Sequence, residues 1–282
     1  MLWSFFPSVA LFAQGPVVAS LATRFSAITA VSGYEQSFGD SLLALLPAAR
    51  RDRAGNVVVT LGSGAPRRLA ACPIDEPGYV VGNITADGWL TLRRVGRVTS
   101  PLFDQRIEGQ RVTLFGAKGP VPGVVAVRSV HLQRGRTAAG DPPFTVDDAY
   151  VDVGAASRED VRALGLELLT PVALIKRPQR YGAGGVLLAA PGATRRSACA
   201  ALAAAILSNP KVTGTVVAAF TVESLQFEDV GLAALQRTAA APFAEVTAVS
   251  LQGKYTGTPV ETVSLAAADS LMRKLVSWME AR

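Results

Sequence analysis

Between Gly78 and about Thr170 the chain changes texture, and that change limits the fold more than any other feature. Short β-prone runs, "YVVGNI", "GWLTLRRV", "QRVTLFG", "VPGVVAV" and "DAYVDVG", follow one another with Gly and Pro between them. Closely spaced strands of this kind predict a small β-barrel. On the N-terminal side, "ATRFSAITAVSGYEQSFGDSLLALLP" has helical spacing broken at Ser32-Gly33, which predicts two helices meeting at a turn. "NVVVTLGSG" then reads as a strand and "RRLAACPI" as a second, more buried one.

From "PVALIKRP" onward the alternation returns: strand "GVLLAA", helix "SACAALAAAILS", strand "GTVVAAFTV", a helix near Val230–Arg237, strand "EVTAVSL", and an amphipathic helix over Leu265–Glu280. Strands alternating with helices predict a mostly parallel sheet covered on both faces. The expected fold class is α/β, with residues 1–74 and 170–282 forming the α/β domain and residues 75–169 an inserted β-barrel. At 282 residues and 49% apolar content the chain has ample material for such a core.

Charge and cysteine content narrow the function. The net charge of +6 comes mainly from arginine, and the pairs Arg50-Arg51, Arg67-Arg68, Arg93-Arg94 and Arg195-Arg196 are scattered, as solvated faces would be. Cys72 and Cys199 exclude a disulfide framework but leave one bridge open. Residues 1–13 are apolar yet too short to span a bilayer as a helix. They match the core of a secretory signal without its basic start, and equally a first helix packed on the domain. The compartment turns on that segment: cytoplasmic if residues 1–14 stay, periplasmic or secreted if they are a signal. No later segment is long and apolar enough for a transmembrane helix.

Several stretches resemble the tetrahedral or glutamyl aminopeptidases, dinuclear metal-dependent enzymes. They are "SGYEQSFGD", "RDRAGNVVVTLGSG", "GQRVTLFGAKGPVPGVVAVRSVHL", "YVDVGAASREDVRALGL" and "KYTGTPVETVSL". The resemblance runs from about Ser32 to the C-terminus. It implies a zinc-peptidase-like α/β domain, a barrel of the dimerisation type, and homo-oligomers built through that barrel.

The departures from the family pattern gather at the metal site. In "CPIDEPG" Asp75 and Glu76 stand where the resemblance puts an acid pair, but the histidine two residues before Asp75 is replaced by Pro73. Cys72 is the neighbouring candidate ligand, although alternate strand residues face opposite sides. At the position of the bridging aspartate the chain has Thr194, Arg195 and Arg196, and a guanidinium there repels cations. Arg195 or Arg196 either pairs with Asp75 or Asp229 or lies at a solvated helix N-terminus. In "FTVESLQFEDVGL" four extra residues separate the anchors. Alignment from the right makes Glu228 the base and Asp229 a ligand, whereas alignment from the left puts Ser224 and Leu225 there. Acids before an apolar helix also complement its dipole, and that reading needs no metal. Gly257 replaces the final histidine, the glycine-rich loop bearing another aspartate is essentially absent, and His131, the sole histidine, matches a barrel position.

The expectation is therefore a non-catalytic homologue that acts as an assembly or interaction module and holds no cofactor. The alternative is a metallo-aminopeptidase or other hydrolase with a rebuilt acidic site. It would use Glu228 as base with Asp75, would bind through Glu76 and Arg195, and would hold zinc or cobalt on Asp75, Asp229 and Cys72. A peptide is the ligand that the resemblance suggests. Nucleic acid is disfavoured, because the barrel's arginines (Arg93, Arg94, Arg97, Arg106, Arg111, Arg128, Arg134 and Arg136, with Lys118) are a surplus rather than a patch, and only Trp89, Phe103 and Phe115 could stack.

Overall fold

The computed structural model describes residues 17–98, 100, 102–127 and 143–281. The apolar start at residues 1–14, His131, and Arg128, Arg134 and Arg136 lie outside the described residues. Helices α1 (Val17–Ala27) and α2 (Gln36–Leu45) meet across the Ser32-Gly33 turn, where Gly33 takes a left-handed φ of 85°. Strands β1 (Arg50–Arg51), β2 (Val57–Gly62) and β3 (Arg67–Pro73) follow.

The chain then enters the barrel through β4 (Gly78–Ile84), β5 (Leu90–Val95), β6 (Arg111–Gly116), β7 (Gly119–Val125) and β8 (Tyr150–Asp152). A short helix α3 (Arg158–Ala163), capped by the Ser157 hydroxyl, leads to β9 (Pro171–Leu174). These strands close in the order β4-β5-β8-β7-β6-β9. Because β9 pairs with both β4 and β6, the barrel includes "PVAL", a few residues beyond the point where strand-helix alternation seemed to resume. Pairing partners, not local texture, decide which sheet a short apolar run joins.

The remaining elements are β10 (Gln179–Tyr181), β11 (Leu187–Ala189), α4 (Ala193–Leu207), β12 (Thr215–Thr221), α5 (Val230–Thr238), β13 (Glu245–Ala248), β14 (Thr262–Ser264) and α6 (Leu265–Glu280). The main sheet has the order β1-β2-β12-β3-β13. Only β12-β3 and β3-β13 are parallel; β1-β2 and β2-β12 are antiparallel, so the sheet is mixed rather than mostly parallel. Strand β11, expected within it, forms a separate antiparallel sheet between β10 and β14.

Alternation along β12 shows how the layers pack. Val216, Ala218 and Phe220 join the core beneath α1, α2, α4 and α6, while Val217 and Ala219 join the smaller core beneath Leu235 of α5. Helix α4 is buried almost all round, and its run of alanines lets α1, α6 and the sheet approach closely.

Two arginines expected on solvated faces are buried. Arg68 donates to the carbonyls of Trp278, Thr213 and Met279, so it satisfies acceptors at the end of α6. Arg196 is 1% exposed and lies over the Phe38 ring at 4.6 Å. In the barrel, Arg93 pairs with Asp147 and Arg94 with Asp104. Phe103 is buried against Tyr79, whereas Phe115 and Trp89 are half-buried.

Candidate functional site

Asp75 and Glu76 emerge from the C-terminal end of β3, beside β12 and the start of α4. Crevices at the carboxyl ends of strands are the usual ligand-binding places in α/β sheets. Here the two carboxylates at the crevice are engaged by protein contacts. Asp75 is fully buried, and its Oδ2 accepts from the Ser32 hydroxyl at 2.9 Å and the Leu225 amide at 2.8 Å. Its Oδ1 accepts from Arg195 Nη1 at 3.0 Å and from the Ser224 hydroxyl, and the same Nη1 donates to Ser224 Oγ at 2.6 Å. One carboxylate thus takes four donors, one of them a guanidinium.

Glu76 is held differently. Its Oε2 lies 2.5 Å from Lys176 Nζ and 3.2 Å from Arg196 Nη2, and its Oε1 accepts from the Ala30 amide at 3.0 Å. Burial alone would push its carboxyl up, but Lys176, then Arg196, outweigh burial and hold it down at about 2. Burial draws the Lys176 ammonium down to about 8 against the pull of Glu76.

The other expected site residues do not join this pair. Glu228 and Asp229 are exposed, with left-handed φ of 60° and 47°, and Asp229 caps α5 without a side-chain hydrogen bond. They neither face Asp75 nor act as first-turn acids of α5, which begins at Val230. The four-residue excess lies in the loop before α5, so spatially it is Ser224 and Leu225, the left-hand alignment, that meet Asp75. Cys72 is bonded to Cys199, 127 residues away, with the Cα atoms 5.6 Å apart, so it cannot offer a thiolate. The bridge ties β3 to α4 one turn beyond Arg195, and both sulfurs are buried.

Three residues that carry the site were not singled out from the sequence. Glu35 accepts from the amides of Gly33 and Glu223, both at 2.9 Å, and burial pushes its carboxyl up to about 6. Glu261 accepts from the Thr194 amide at 2.8 Å, the Thr194 hydroxyl at 2.5 Å and the Gly257 amide at 3.0 Å, so its carboxylate sits on the N-terminus of α4. Lys176 is the third; one of five lysines in an arginine-dominated chain, it was the available signal.

The residues present do not fit the two metal ions that the resemblance implies. Among the described residues no group of three or more His, Cys, Asp and Glu side chains could hold a metal. A cation bound to Asp75 Oδ1 would have to sit where the Arg195 guanidinium already is.

Comparison with known proteins agrees with the fold. The family model of the M42 glutamyl aminopeptidases matches residues 55–265. The SgcX aminopeptidase homologue of Escherichia coli (strain K12) is 34% identical over 166 residues, covering 56% of this chain and 43% of SgcX. The lysyl aminopeptidase of Pyrococcus furiosus is 32% identical over 145 residues, covering 50% of this chain and 40% of its own length. The chain thus spans about two fifths of the length of these relatives. Among solved structures, the TET1 peptidase of Pyrococcus horikoshii, described as assembling into a tetrahedron or a large octahedral shell, superposes with a TM-score of 0.78 at 20% identity, over 94% of this chain and 100% of that one.

Proposed function

The chain belongs to the M42 glutamyl aminopeptidase family, and within it we propose a non-catalytic homologue that keeps the family fold as an assembly module. The observation that carries this reading is the Arg195 guanidinium on Asp75, with Ser32, Ser224 and Leu225 taking the remaining acceptor positions. A two-metal peptidase needs carboxylates free to face cations and a base beside an activated water. Asp75 and Glu76 are instead neutralised by protein cations, and Ser224 stands where the family resemblance puts the base. The alternative, a hydrolase rebuilt on Asp75, Glu76, Glu228 and Asp229, asks for a convergence of acids that their positions do not favour.

Homo-oligomerisation is proposed on two grounds. A structural neighbour with a TM-score of 0.75 is a TET1 dodecamer, and the barrel exposes Val127 and Tyr150 around a hollow they share with half-buried Trp89. The test is hydrolysis of a panel of aminoacyl anilides and short peptides by the protein supplied with zinc or cobalt, with its mass in solution measured in parallel. The reading expects no turnover and a mass above that of one chain. Turnover abolished by Asp75→Ala would overturn it.

A further inference from the structure

Beside Asp75 lies a cavity of about 230 Å3, walled by the start of α4 on one side and by Arg97, Phe103 and Arg106 of the barrel segment on the other. Its charge is unbalanced in a specific way. All three carboxylates that line it are consumed by protein donors: Asp75 and Glu76 as described, and Glu261 on Thr194 and Gly257. Arg195 and Arg196 are committed to Asp75 and Glu76. Arg97 and Arg106 are not, since among the described residues neither makes an ion pair or a side-chain hydrogen bond.

Arg106 is the more telling of the two. Its Nε is buried without a hydrogen-bond partner, and its guanidinium carbon lies over the Phe103 ring, 4.1 Å from the centroid, a contact that restricts the side chain. Arg106 is half-buried, and although the carboxylates of Glu76, Asp104 and Glu261 lie near enough to favour its charge, none of them reaches it in an ion pair, so burial of the cation is only partly offset. Arg106 also lines an adjoining cavity of about 440 Å3 whose other charged residues, Arg111 and Arg177, are both basic. Positive charge therefore runs through both spaces with no free acid to answer it.

We propose that the cavity is a binding site for a small oxyanion, a phosphate or carboxylate group held by Arg97 and Arg106. A guanidinium presents parallel N–H donors that match two oxygens of such a group, and one already held against a ring loses less freedom on binding. The proposal rests on the non-catalytic reading, because the same cavity contains the positions at which the resemblance places metal ligands.

Calorimetric titration of the full chain with inorganic phosphate and with glutarate tests it, after dialysis against a chelator and with metal content measured on the same sample. One saturable site is expected for at least one anion at about millimolar affinity or tighter. Arg97→Gln and Arg106→Gln should each weaken it about tenfold or more. Arg177→Gln, which alters only the adjoining cavity, should leave it unchanged. Arg97 is exposed, so its variant keeps the test alive if Arg106→Gln does not fold. Preference for phosphate or for glutarate identifies the group. No saturable heat for either anion by about 10 mM, or affinity indifferent to both substitutions, overturns the proposal. Metal-free protein that binds no anion sinks this inference alone, whereas metal retained through the dialysis sinks the non-catalytic reading.

Discussion

Replacing Glu76 by Gln separates a structural ion triad from a vacant metal ligand. Glu76 is buried between Lys176 Nζ at 2.5 Å and Arg196 Nη2 at 3.2 Å, whose side chains are 4% and 1% exposed. Its carboxyl is held at about 2 against an ordinary 4.5, which corresponds to about 3 kcal/mol favouring the charged form in the folded state. Gln keeps the shape and an acceptor for the Ala30 amide, but it strands two buried cations. Breaking a buried pair costs about 3–5 kcal/mol, and for a chain of this size the melting temperature should fall by about 6–20 °C at pH 7.

The pH dependence follows from the sign of the shift. A carboxyl depressed on folding contributes stability that is present above pH 4.5 and lost as pH falls toward about 2, so the difference between wild type and Glu76→Gln should shrink over that window. Adding Lys176→Met should recover part of the loss, because one of the two stranded charges goes with it. Calorimetric melts across pH are the assay. A Glu76→Gln protein that melts within about 2 °C of wild type would refute the triad, and one that melts higher would point to acids awaiting a cation, whose repulsion the substitution had relieved.

Two further outcomes follow from the same geometry. The Cys72–Cys199 bridge closes a loop of 127 residues, for which chain entropy gives about 5 kcal/mol; the Cys72→Ala/Cys199→Ala protein, or the reduced wild type, should melt about 10 °C or more lower, and an unchanged melt would show that the bridge does not form. Glu35 is raised to about 6, so its ionisation opposes folding as pH climbs from 4.5 through 6. Glu35→Gln should therefore stabilise the protein by about 1–2 kcal/mol at pH 8 and not at pH 4, and denaturant titrations at the two values would expose an error in the sign.

How much could be read in advance depended on whether the signal was local. Helix α6 begins and ends where its apolar spacing says it should, β3 follows from a continuous apolar run, and the barrel hairpins follow from short β-prone runs cut by glycine and proline. Strand direction was not readable in this way: β2 and β12 pair antiparallel although they lie far apart in the chain, as in the pair Thr215 and Gly62, and nothing within either strand encodes that. The same holds for β11, whose three residues join β10 and β14 rather than the main sheet.

At the site, Asp75, Glu76 and Arg195 could be singled out because they stand at positions with a family counterpart. Lys176 reaches Glu76 from 100 residues away, and Cys199 reaches Cys72 from 127, so only the folded chain brings them together. Glu228 and Asp229 misled because the four extra residues were placed before them; the loop absorbs that length with left-handed residues at Glu223, Glu228 and Asp229 and carries both acids out to solvent.

The central claim is that protein cations have taken the place of the metal ions. Metal content of the purified protein, incubated with zinc, cobalt or manganese, dialysed and read by inductively coupled plasma mass spectrometry, tests it most directly. The account predicts less than about a tenth of an equivalent, for want of ligands. One or two equivalents retained by the wild type and lost in Asp75→Ala would contradict it, and would mean that Arg195 leaves Asp75 when a metal arrives.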